Sequence, residues 1–171
     1  MQNFDDDPTT DEPSAGAYSL ADKLLEVHAW LRSQLRHVRA EAEAYFTASA
    51  GPGGAPKPGL GLQLRRHCLE FCQALEFHHT GEERIFPVIE GYQPQLREAL
   101  DRLRAEHRTV ALIQGELVAL LAEVDSVDPA AFLAELDRMA EELTAHLDYE
   151  EESLIPALAE VPFPPAAPPE E

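Results

Sequence analysis

Four stretches of this chain repeat apolar residues with the 3.6-residue period of an α-helix, and Gly/Pro-rich breaks separate them. Leu20, Leu24, Val27, Leu31, Leu35 and Val38 form a stripe over about 19–48. Ser19-Leu20-Ala21-Asp22 opens it as a capping box with the shorter acid. Leu64, Phe71, Ala74, Leu75 and Phe86 form a second stripe over about 60–86. A third begins near Pro94, which suits a first helical turn, and carries Leu96, Leu100, Leu103, Val110, Leu117 and Leu121. The fourth takes Asp128 as its cap and Pro129 in its first turn, then Phe132, Leu136, Met139, Leu143, Leu147, Leu154 and Leu158. Pro156 is expected to end or kink it. The breaks are GPGGAPKPG (51–59), PVIEGYQP (87–94) and DSVDP (125–129).

An amphipathic helix must bury its stripe, and four of them do so for one another. The expected fold is therefore all-α, an up-down-up-down four-helix bundle over 19–158. Residues 1–18 are acidic and apolar-poor, which predicts a disordered N-terminal tail, and 159–171 read as a Pro-rich tail. The chain's 171 residues suit a single domain. Thirteen Lys and Arg against 32 Asp and Glu give a formal charge of −19, a field that disfavours nucleic acid and anionic membrane surfaces. No apolar run approaches the ~20 residues that span a bilayer, and the first residues lack the basic and apolar regions of a secretory signal. A cytoplasmic location is the expectation. Cys68 and Cys72, four apart on one helix, read as reduced thiols, since a bridge there would strain the sulfur geometry. No βαβ alternation, phosphate-binding glycine loop or nucleophile elbow occurs, which argues against nucleotide-dependent and α/β-hydrolase chemistry.

The informative residues are the polar ones that interrupt the stripes. His107 falls between Leu103 and Val110, and His28 lies beside Val27, Leu31 and Leu35. His78 and Glu82 fall on the line of Phe71, Leu75 and Phe86. His146, with Glu150 or Glu151, flanks Leu143, Leu147 and Leu154. Each helix thus turns a histidine toward the shared core, and two add a carboxylate one turn on. A lone core histidine is most often a hydrogen-bonded residue, but a buried ionised carboxylate costs several kcal/mol unless paired or bound to metal. The stripes hold no Lys or Arg to serve as partner. A cation would offset both charges and use the imidazoles as well, and roughly six donors suit two metals bridged by carboxylate. Nitrogen and oxygen donors without thiolate fit iron, with manganese or zinc also compatible. His37 points away from its stripe, and His67 lies about 16 Å along the helix from His78, too far for the same cluster. His67 reads as structural, beside Cys68 or Cys72. His79 and Glu83 fall one step round the wheel, where supporting or surface roles are expected.

These residues resemble those of the hemerythrin family in its bacterial cation-binding (HHE) form. FHHTGEERIFP (77–87) carries the most specific likeness, His-x-x-x-Glu followed by an apolar pair and proline, and HLDYEEESLIP (146–156) has the same character. VHAWLRSQL (27–35) and EHRTV (106–110) are similar to the shorter first- and third-helix motifs. The resemblance covers about 19–158. It implies a bundle around a non-haem di-iron site with His28, His78, Glu82, His107 and His146 as ligands. For the last carboxylate, helical spacing favours Glu150, and counting back five from proline, as from Pro87 to Glu82, selects Glu151. Classical oxygen-carrying hemerythrins place a second histidine four residues after the third-helix one, and this chain has Ala111 there. One iron then loses a ligand, or water, Glu106 or another residue takes the position, which argues against simple reversible oxygen carriage.

The leading expectation is a di-iron protein that binds or reduces dioxygen, nitric oxide or peroxide, for sensing, storage or detoxification. The alternative is a di-iron oxidase or oxygenase acting on a small organic metabolite, which needs a cavity beside the irons. A ferritin-like oxidase needs Glu-x-x-His on two helices, and only Glu76-Phe77-His78-His79 supplies one. A partner-binding bundle with a purely structural metal is the remaining reading.

Overall fold

The computed structural model describes residues 18–50, 53 and 59–161. Of the expected tails, 1–18 and 159–171, all but Tyr18 and 159–161 lie outside the described residues, as does most of the 51–59 linker. Four helices account for nearly all of the rest: α1 (Leu20–Ser49), α2 (Leu60–Tyr92), α3 (Arg97–Ala122) and α4 (Pro129–Leu158). A single 3₁₀ turn, Pro94–Leu96, leads into α3. α1 packs on α2 and α4, and α3 packs on α2 and α4, which closes a ring.

Cross-helix pairs fix the directions. Leu20 N, at the start of α1, donates to Val161 O, just past α4. Arg39 of α1 pairs with Asp137 of α4, Gln114 of α3 donates to Cys72 O of α2, and Arg138 of α4 pairs with Glu116 of α3. Each of these contacts joins an early position on one helix to a late position on its neighbour, or two middles. The helices therefore alternate up and down.

The start signals act as their chemistry predicts. Ser19 Oγ accepts from Asp22 N, and Asp22 accepts from Ser19 N in return, completing the capping box. Asp128 accepts from Ala130 N ahead of Pro129. Gly59 enters α2 at φ 90°, a left-handed conformation that favours glycine. The ends differ from expectation. α2 does not stop before Pro87 but continues to Tyr92. Proline removes one backbone bond, to the carbonyl four residues back. The extra turn compensates by packing Ile89 on the core and pairing Glu90 with Arg97 and Arg104. α4 likewise runs two residues past Pro156, which seats Leu158 in the core.

The core has two parts. Leu31, Leu35, Leu64, Phe71, Leu75, Val110, Leu117, Phe132, Leu143 and Leu147 belong to the larger, and Leu24, Phe86, Leu100, Leu103, Leu154 and Leu158 to the smaller. Truncating one such buried leucine to alanine costs about 2–5 kcal/mol. Along every helix the switch from one core to the other falls at the polar residues: Leu24, His28, Leu31 on α1; Leu75, His79, Glu82, Phe86 on α2; Leu103, His107, Val110 on α3; Leu147, Glu150, Leu154 on α4. A polar layer crosses the bundle between two apolar plugs. Cys68 and Cys72 sit in the larger core as free thiols.

Candidate metal centre

Two groups of donors meet in the polar layer. His28, His78, Glu82 and Glu150 form one, and His79, Glu82, His107 and His146 form the other; within each group one donor atom per residue lies within 4.8 Å of all the rest. Glu82 belongs to both. Its Oε1 is 2.8 Å from His78 Nε2 and its Oε2 is 3.2 Å from His107 Nε2. Glu150 Oε2 lies 3.4 Å from His28 Nε2 and 3.7 Å from His146 Nε2, so the second carboxylate also faces both sides.

The histidines are oriented from behind. An ionised carboxylate only accepts hydrogen bonds, so the Nδ1 that meets one on the outer side of the layer carries the proton. His107 Nδ1–H donates to Glu83 at 2.7 Å, His146 Nδ1–H to Glu106 at 3.0 Å, and His28 Nδ1–H to Glu151 at 2.8 Å. Arg32 holds Glu151 in place at 2.7 Å. In each case Nε2 points inward, which is how histidine presents a lone pair to a metal.

Glu82, Glu150 and His146 are buried, yet both oxygens of each carboxylate and the Nε2 atoms of His79, His107 and His146 have no partner in hydrogen-bond geometry. Buried polar atoms are normally satisfied, so this concentration of orphans in one layer is what a cation would relieve. Metal-free electrostatics carry the same mark. Burial pushes the Glu150 carboxyl up to about 8, helped by the charge of Glu82. Burial pushes Glu82 up as well, but His107 and His78 outweigh it and hold the group well below the usual carboxylate range. Burial and the neighbouring His107 drive His79 down to about 2, so it stays neutral at any working pH. His146 is lowered by burial. For His28 and His107 burial also opposes the charge, but Glu150 and Glu82 respectively outweigh it and raise both.

His28, His78, Glu82, His107, His146 and Glu150 are thus brought together, and Glu151 stands outside as the support of His28. The residue that sequence reasoning put outside is His79, which is 8% exposed and belongs to the second group. Its ring stacks on that of His107 with centroids 4.2 Å apart and meets His146 edge-on at 5.0 Å. The His-His pair was a usable signal. At ~100° per residue Glu82 projects between His78 and His79 on the wheel, so one carboxylate serves both.

The donor set, all nitrogen and oxygen and without thiolate, fits iron and related divalent ions. The family model described as the hemerythrin HHE cation-binding domain matches residues 19–158. The chain belongs to the hemerythrin family. Among curated proteins and among solved structures, nothing matches it. As a hemerythrin-type bundle its departure at Ala111 is now readable. Ala111 lines a polar cleft of about 600 Å³ between α2 and α3, together with His79, His107, Arg104 and Arg108. His79, from α2, supplies an imidazole beside His107 on the side where Ala111 supplies none. On the opposite side, an apolar cavity of about 360 Å³ lies between α1, α2 and α4, lined by Leu24, Val27, Trp30, Phe77, Ile85 and Phe86 and reaching His78, Glu82 and Glu150. No described helix is long and apolar enough to cross a membrane.

Proposed function

We propose that the chain holds two non-haem iron ions and uses them to bind or reduce a small oxidant, dioxygen, nitric oxide or peroxide, in sensing, storage or detoxification. Glu82 carries this reading, because one buried carboxylate faces a different histidine with each oxygen and neither oxygen is otherwise satisfied. His28, His78, Glu82 and Glu150 would hold one ion, and His79, Glu82, His107 and His146 the other. Bound as a reduced pair, the ions would supply two electrons and open coordination positions at neighbouring sites. Glu83, Glu106 and Glu151 fix the proton of each neutral ring on Nδ1, hold Nε2 turned inward and make it a more basic donor. The two apolar plugs close the layer at both ends along the bundle axis, and the apolar cavity offers an uncharged diatomic a path to Glu82 and Glu150.

The test is anaerobic loading with ferrous salt, followed by metal analysis and optical and Mössbauer spectra before and after adding dioxygen, nitric oxide and peroxide. Two irons per chain and a spectral change with at least one of the three are expected. One iron or none, or two that respond to nothing, would overturn the reading.

The size of the apolar cavity favours a second reading. At about 360 Å³ it exceeds what a diatomic needs and would admit a small organic molecule beside the iron pair, as an oxidase or oxygenase requires. Oxygen uptake that an apolar organic compound stimulates distinguishes this reading from the first.

A further inference from the structure

We propose that His37, Glu41 and His67 form a second, solvent-accessible metal site that takes a borderline divalent cation of the zinc type and ties α1 to α2. His37 and Glu41 stand one turn apart on α1, the same His-x-x-x-Glu spacing that the buried layer uses at His78 and Glu82 and at His146 and Glu150. His67 reaches them from α2. Its Nδ1 lies 2.8 and 2.7 Å from the two oxygens of Glu41, and His37 Nε2 lies 3.5 Å from Glu41 Oε1. The two imidazole rings are 5.4 Å apart, and all three donor atoms fall within 4.8 Å of one another.

A hydrogen bond from His67 to Glu41 accounts for that pair alone. It does not account for a second imidazole converging on the same carboxylate from the solvent side. Two histidine nitrogens and one carboxylate oxygen, with an open face for water, are the donors of a four-coordinate zinc site. Copper(II) and nickel(II) would accept the same set. The side chains of His67 and Glu41 are 22% and 17% exposed and that of His37 is 56% exposed, so an ion could reach the site without opening the bundle. The chain's net charge of −19 raises the local concentration of cations around it.

This site is independent of the buried centre. His67 is eleven residues from His78 on one continuous helix, about 16 Å along the axis. The site shares no residue with either buried group. α1 and α2 are joined through the 51–59 linker, so a cation held by both helices would clamp the end of the bundle nearest that connection.

The experiment is calorimetric titration with zinc alone of the purified chain, first as the metal-free protein and then with iron loaded. The wild type is expected to take up one more equivalent than a His37→Ala/His67→Ala double variant in both states. Glu41→Gln, which keeps the shape and removes the charge, is expected to weaken uptake of that equivalent at least tenfold. Iron content and circular dichroism should be unchanged in both variants. Zinc-edge absorption of the iron-loaded wild type should show nitrogen and oxygen neighbours and no sulfur. Equal zinc stoichiometry in the wild type and both variants would overturn the proposal, as would zinc that enters the iron-loaded protein only by displacing iron. Because the comparison is also made on metal-free protein, failure of the buried centre to hold iron would leave this result readable.

Discussion

Glu83 accepts a 2.7 Å hydrogen bond from Nδ1–H of His107, and that bond turns the ring so that Nε2 faces Glu82. Glu83 itself is partly exposed, so its side chain contributes little to packing. Replacing it separates orientation from stability. Glu83→Ala is expected to leave the melting temperature of the metal-free protein within a few degrees and to weaken metal binding by about 10–100-fold, the usual cost of losing such a supporting carboxylate. Competition with a chelator of known affinity measures it. Affinity equal to wild type would show that the His107 ring is held by packing against Phe86 and His79 instead.

Glu150→Gln exposes the conflict between stability and metal binding. In the metal-free protein Glu150 and Glu82 share a buried layer with no Lys or Arg among its buried polar groups. Removing one carboxylate charge is expected to stabilise that form at pH 8 by on the order of 1–3 kcal/mol, as other uncompensated buried charges lead one to expect. The same change should cut the metal content on loading and abolish the stabilisation that metal confers. Parallel denaturant melts with and without ferrous ion report both effects. A variant less stable than wild type without metal would contradict the assignment of Glu150 as a strained acid.

Most of the fold was legible in the sequence because each helix states its stripe, its cap and its break in local terms. Ser19 and Asp128 act at the positions their chemistry suits, and the stripes from Leu24 to Leu158 are buried as their spacing requires. Pro87 misled because the rule it obeys is local, whereas the continuation of α2 is held by distant partners, the core under Ile89 and the arginines of α3 that meet Glu90. The burial of His79 among the donors is hidden from the wheel for a related reason: one stripe describes one face of α2, but a helix in a ring of four touches two neighbours, and His78 turns toward His28 of α1 while His79 turns toward His107 of α3. Glu150 is buried in the layer, whereas Glu151 pairs with Arg32 at its edge. Nothing in local spacing announces that pair.

Stability of the metal-free protein should fall as pH rises from 6.5 to 8. Glu150 keeps its proton up to about 8 in the fold, while the unfolded chain releases it near the ordinary value of 4.5. A raised carboxyl therefore favours the fold at the acid end of that window and loses the advantage toward 8. His28 and His107, also raised, act in the same sense above 6.5. Of the lowered groups, His79 and His146 weaken the fold below 6.5, where the unfolded chain binds their protons, and Glu82 and Glu151 below 4.5. Cys72, lowered from 9.0 by the hydrogen bond with Cys68, opposes the trend on the alkaline side, so the difference between the wild type and Glu150→Gln isolates the Glu150 part. Thermal melts at pH 6.5 and 8 are expected to give the higher midpoint at 6.5, with a shallower dependence in Glu150→Gln. Metal loading should reverse the slope, since the donors must be deprotonated to bind. A metal-free midpoint that rises with pH, with the same slope in Glu150→Gln, would rule out Glu150 as the group responsible.

Gly81 offers a way to decide what the apolar cavity admits. It lines the cavity one residue before Glu82, and a Cβ built there meets no heavy atom within 4 Å. A glycine inside a helix costs roughly 1 kcal/mol against alanine or leucine, so Gly81→Leu should raise stability by about that amount while it fills space beside Phe77 and Ile85. Metal content is expected to be unchanged, because Gly81 contributes no donor. Nitric oxide, small enough to pass a narrowed channel or to use the polar cleft beside Ala111, should bind with affinity within a few-fold of wild type. An apolar organic probe such as toluene should lose at least tenfold in affinity, and any oxygen uptake that an organic compound stimulates should fall with it. If both ligand classes bind Gly81→Leu as they bind the wild type, the cavity between α1, α2 and α4 is not a route to the centre, and access must run through the cleft of His79, His107 and Ala111 instead.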